Sequence, residues 1–94
     1  MNQSNLDRSL SPTESKMVKQ MLWMGDDQNV IASFMNICQA RVSRISRGIL
    51  EVDTEWPNGE IGPMDEERRT LITSQKRRNA RRVGMGLKPN PLDL

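Results

Sequence analysis

The sequence predicts an all-α fold: a core of three short helices, then a loop or short hairpin, then a basic C-terminal helix. Three observations carry this expectation. Apolar residues recur at the three- and four-residue spacing of helices from about residue 12 to residue 49. Capping residues break that pattern into separate segments. Farther on, a stretch opens with acids and closes with bases, the charge order that a helix dipole favours. The chain accordingly divides into a flexible N-terminal segment (1–10), a three-helix domain (11–49), a linker or short hairpin (50–63), a basic helix (64–83) and an extended tail (84–94).

Helix 1 is expected to begin at Ser11, because Ser11, Pro12 and Glu14 form a capping box with proline at the first helical position. Its apolar stripe of Met17, Val18, Met21, Leu22 and Met24 runs to Gly25, a left-handed stop, after which Asp26 or Asp27 caps the next helix. Helix 2 repeats Val30, Ile31, Phe34 and Met35, with Ala32 small enough to let two helices cross closely. Asn36 then falls in a turn, where asparagine accepts a left-handed backbone at low cost.

Helix 3 ends near Gly48 and separates into two faces at about 100° per residue. Cys38, Val42, Ile45 and Ile49 share a narrow apolar stripe. Ala40, Ser43, Arg44 and Arg47 lie opposite, flanked by Gln39 and Arg41. That face offers short side chains, hydrogen-bonding groups and positive charge with no acid, which allows close approach to phosphates.

The run NICQARVSRISRG, within roughly residues 11–49, resembles the helix-turn-helix of bacterial regulators and of resolvase and homeodomain-like DNA-binding domains. Asn36 stands where that family usually has Gly, and Cys38, a poorer helix cap than serine, where it often has Ser. The resemblance implies a trihelical core with helix 3 in the major groove. Arg44 and Arg47 are then candidates for guanine, Gln39 for adenine and Ala40 for a thymine methyl, with Ser43 at the same face. Arg41, Lys16 and Lys19 are expected on phosphates.

Of the charges in residues 68–88, eight are basic and none acidic, leaving six bases and twelve acids elsewhere, although the whole chain is only +2. Clustered cations gain affinity for polyanions by counterion release. Lys76, Arg77, Arg78, Arg81 and Arg82 are therefore expected to supply sequence-independent DNA affinity, or to contact a protein partner. Between the two parts, Ile49, Leu50, Val52 and Trp56 precede Pro57, Asn58 and Gly59, a turn signal. Asp53, Thr54 and Glu55 suit an irregular loop with Trp56 folded onto the core equally well.

Composition narrows the function class. The chain has 94 residues, no histidine, one cysteine and no Gly-rich phosphate loop, so neither catalysis nor a metal or other cofactor is expected. A single cysteine allows no internal disulfide, no signal segment or membrane span is visible, and a cytoplasmic protein is expected. With one Phe, two Trp and seven Met, forty residues of core are marginal alone, which favours a homodimer. Trp23, on the side of helix 1 away from its stripe, is expected to meet the second half of the chain or a twin subunit.

Together these features describe a DNA-binding transcriptional regulator of bacterial or phage type, acting as a homodimer on double-stranded DNA. The alternatives are a DNA-assembly protein, such as a small terminase subunit or recombination accessory, and a protein-interaction adaptor, such as an antitoxin or anti-repressor.

Overall fold

The computed structural model describes residues 8–86, in which four helices and no strands appear: α1 (Pro12–Trp23), α2 (Gln28–Met35), α3 (Gln39–Ser46) and α4 (Glu66–Gly84). The first three pack on one another pairwise. The opening signals act as the sequence reading expects. Ser11 Oγ accepts from the Glu14 amide at 3.1 Å while Glu14 Oε1 accepts from the Ser11 amide at 3.0 Å. Asp27 caps α2 through the Asn29 amide at 3.2 Å, and Asp65 caps α4 through the Arg68 amide at 2.8 Å.

One closing device recurs at the ends of α1, α2 and α3. Gly25 (φ 90°), Asn36 (φ 56°) and Gly48 (φ 76°) adopt the left-handed backbone. The following amide then donates five residues back: Asp26 to Met21 O, Ile37 to Ala32 O, and Ile49 to Arg44 O, at 2.9–3.0 Å. Carbonyls at each helix end are thereby satisfied, and the chain turns sharply enough for three helices of 8 to 12 residues to share one centre.

That centre is made of Val18, Leu22, Ile31, Ala32, Met35, Ile37, Val42 and Ile45, with Trp56, Met64 and Ile72 added from the second half. Each fully buried aliphatic side chain contributes about 1.5–3 kcal/mol. The expected stripes are partly displaced. Val30 and Phe34 are 59 % and 67 % exposed, and α2 buries Ile31, Ala32 and Met35 instead. In an eight-residue helix a rotation of about one position decides which pair faces in, and here close crossing at Ala32 draws that side inward. On α1 the buried side is Ser15, Val18, Lys19 and Leu22, while Met17 and Met24 lie at its margins, 37 % and 39 % exposed. Ile49 lies beyond α3 and is exposed.

Residues 50–63 form an irregular loop. The Trp56 amide donates to Glu60 O and the Gly59 amide to Trp56 O, both at 2.8 Å, closing a tight turn around Pro57, Asn58 and Gly59 with no strand on either side. Trp56 is buried, and its indole N–H donates to Gly62 O at 2.6 Å. It stands tilted against Trp23 with ring centroids 6.3 Å apart. The contact expected of Trp23 is thus made by the second half of the same chain.

Helix α4 begins at Glu66, two residues later than the expected start, and ends at Gly84. Its docking is largely polar. The Arg68 guanidinium stacks 5.0 Å from the Trp23 ring centre and donates to Trp23 O, by Nη2 at 2.6 Å, and Lys76 Nζ donates to Asp26 O at 3.4 Å. Helix α1 has no base in its own last turn, so α4 brings positive charge to its negative end. Within α4 only Ile72 is buried, while Leu71 and Val83 are at least half exposed. Gly84, expected to open the extended tail, is instead the last residue of the helix, and residues 87–94 of that tail, Lys88 among them, lie outside the described residues. No helix among the described residues is long and apolar enough to cross a membrane.

Candidate nucleic-acid interface

Helix α3 owes its placement to the turn before it. Asn36 reverses the chain, and buried Ile37 pins the turn to the core. Cys38 is the N-cap and makes no side-chain capping bond. The fully buried Val42 and Ile45 then fix the rotation of the helix, leaving Gln39, Ala40, Arg44 and Arg47 exposed. Ser43 and Arg41 are half-buried at the edges. The structure therefore brings Gln39, Ala40, Ser43 and Arg44 onto one short helix that carries no acid, with Arg47, expected on the same helix, at its C-cap.

Two of the flanking residues have internal partners. Gln39 Nε2 donates to Gln28 Oε1 at 2.7 Å, and Gln28 Nε2 lies 3.5 Å from Ser46 Oγ, so Gln28 at the start of α2 spans two turns of α3. Gln39 keeps its carbonyl oxygen and second N–H for a ligand. Arg41 donates through its guanidinium to Arg8 O. Arg8 in turn donates to Met35 O at 2.7 Å and pairs with Glu14 at 2.8 Å. Residues 8–10, expected to belong to a flexible segment, are held by these bonds and by Leu10 against the core. The amide of Ser11 and the Arg8 guanidinium together hold the Glu14 carboxyl below its usual pKa.

The expectation for Lys19 is corrected. Its side chain is fully buried, its ammonium donates to Thr54 O at 2.5 Å, and it lies 4.9 Å from the Trp56 ring centre, so it has no path to a phosphate. Burial lowers its pKa, against the opposing pull of Glu51 and Asp53. A desolvated cation needs such partners, and a cation–π contact of this kind is worth about 2 kcal/mol. Nothing in the local pattern around Lys19 separates it from solvent-facing Lys16, because its partners lie more than thirty residues away.

On α4, Arg77, Arg78 and Arg81 are exposed, Arg82 is half-buried, and exposed Lys76 reaches back to Asp26. The basic cluster thus starts at Lys76, which reaches the α1–α2 connection, and continues along the rest of the helix. Sequence reasoning passed over Arg68 as a docking residue. Its place three residues after Asp65, on the Ile72 side of the helix, is a signal that appears only once the buried face of α4 is known. The chain matches no known protein family, no curated protein and no solved structure.

Proposed function

We propose that the chain is a sequence-selective double-stranded DNA-binding protein, a transcriptional regulator of bacterial or phage type, in which α2, the turn at Asn36 and α3 act as a helix-turn-helix. The observation that supports this reading best is the division of α3. Val42 and Ile45 are fully buried on one side, while Gln39, Ala40, Arg44 and Arg47 are exposed on the other and no carboxylate on the helix repels a phosphate. In the major groove, Arg44 and Arg47 would take guanine edges, Gln39 adenine and Ala40 a thymine methyl, with Ser43 beside them. Lys16, exposed on α1, and Arg41 at the edge of α3 would meet phosphates. Lys76, Arg77, Arg78, Arg81 and Arg82 would add affinity that does not depend on sequence.

The homodimer belongs to the same proposal, although the shortage of core no longer argues for it, since Trp56, Met64 and Ile72 complete the interior from within the chain. Two copies would set their α3 helices about one turn of DNA apart. Selection of bound fragments from a random duplex pool tests both parts, and the expected product is a palindrome with half-sites about 10 bp apart. On that site Arg44→Ala should cost about 1–3 kcal/mol and far less on random duplex. Equal losses on both would reduce Arg44 to a phosphate contact, and a pool that yields no enriched sequence would remove the proposal.

A further inference from the structure

Beside the α3 face lies a cleft that the reading above leaves unused. It has a volume of about 160 Å³ and is bounded by Gln28 of α2, Ser46 at the end of α3, and Arg69, Thr73 and Lys76 of α4, over an apolar floor. That volume is well above the roughly 15 Å³ one water requires. Three elements thus line one space with two residues that bear hydroxyls, one amide, one arginine and one lysine. Asp26 also lines it, so the charged side chains around it sum to +1.

We infer that this cleft seats one phosphodiester group of the duplex that α3 reads, an inference that rests on the DNA-binding function proposed above. The charge balance fits a diester linkage, which carries a single negative charge. The location fits as well. Gln28, which lines the cleft, is bonded to Gln39 and lies against Ser46, so the cleft runs along the edge of α3 beside the base-reading residues. A strand bordering the groove that holds α3 passes along this edge. Arg69 and Thr73 are exposed and give the linkage one charged and one neutral donor, while Lys76 adds a second cation from its position over Asp26. Helix α4 is therefore a clamp on the backbone at its docked half as well as a source of diffuse charge at its outer half.

The test is a double variant, Arg69→Gln with Thr73→Val, in the full chain, titrated against the selected duplex and a random duplex over a range of KCl. Both side chains are exposed, and unchanged far-UV circular dichroism establishes that the variant is folded. Binding to both duplexes should weaken equally, by about tenfold, and the slope of log K against log salt should fall by about 1, the value for one phosphate contact. One methylphosphonate linkage, found by scanning the strand that borders α3, should weaken the native protein and leave the double variant no worse. Arg69→Lys with Thr73→Ser should restore most of the binding. If the native protein binds duplex and the double variant keeps its affinity and slope, the cleft is overturned and the α3 reading stands. A loss confined to the selected sequence also overturns it, because the two residues then touch bases. Native protein that binds no duplex removes the function and the cleft together.

Discussion

Replacing Trp56 by alanine is the sharpest test of how this small domain holds together. Trp56 is the large loop side chain buried in the core, with Leu50 packed beside it: it is 2 % exposed, stands near Trp23, covers the ammonium of Lys19 and donates its indole N–H to Gly62 O. Truncating a buried aromatic costs about 3–5 kcal/mol in lost burial and cavity. Removing the indole donor leaves Gly62 O without that partner, and removing the ring strips Lys19 of a cation–π contact, so the expected loss is about 4 kcal/mol or more. Set against a total stability of about 5–15 kcal/mol for a domain, that is a large fraction. Urea unfolding followed by far-UV circular dichroism, with the fluorescence of Trp23 as a second probe, reads the loss directly, and the melting temperature should fall by at least about 15 °C. Lys19→Met supplies the contrast. It exchanges a buried charge for an apolar side chain of similar length beneath the same ring, and should change stability by no more than about 1 kcal/mol. A Trp56→Ala loss below about 1.5 kcal/mol, or a Lys19→Met loss as large as that of Trp56→Ala, would refute the view that the loop completes the core through its indole.

Three further outcomes follow from other parts of the molecule. Val42→Asp places an unpaired carboxylate at a fully buried site and should abolish cooperative unfolding altogether, rather than give a folded protein of altered DNA preference. At Gly48 a Cβ would stand 2.7 Å from Pro63 N at φ +76°, so Gly48→Ala should cost about 2 kcal/mol or more by urea midpoint, whereas Gly59→Ala, with open space around it, should cost only its backbone strain. Because the folded pKa of Glu14 is lowered, the stability its ionised form supplies is present above the ordinary carboxylate value of 4.5 and is lost as the pH falls through the folded value. The gap in urea midpoint between the native protein and Glu14→Gln should therefore be open at pH 6 and narrow steadily as the pH is taken below 4.5 and through the lowered folded value.

The boundaries of the helices were legible in the sequence because they are set by local chemistry. A capping box at Ser11, an acid before α2, and glycine or asparagine after α1, α2 and α3 are all local signals, whereas at α4 the acids marked the start only to within two residues, because Asp65 caps the helix from outside rather than lying in its first turn. The two-faced character of α3 was legible for the same reason, since Val42 and Ile45 repeat at helical spacing and no acid interrupts the other side. Side-chain partners across the chain were not. Val30 and Phe34 look as apolar as Ile31 and Met35, and only the crossing of α2 with its neighbours chose which pair would be covered. Lys19 reads as one more surface lysine until the loop 35 residues later folds Thr54 and Trp56 over it. The burial that a trihelical core of forty residues lacks, which composition suggested a second subunit would supply, comes from Trp56, Met64 and Ile72 of the same chain. Capping and periodicity are short-range and survive in any isolated stretch of the sequence, whereas burial is a property of what arrives from elsewhere, and that was decided only when the loop and α4 closed over the three helices.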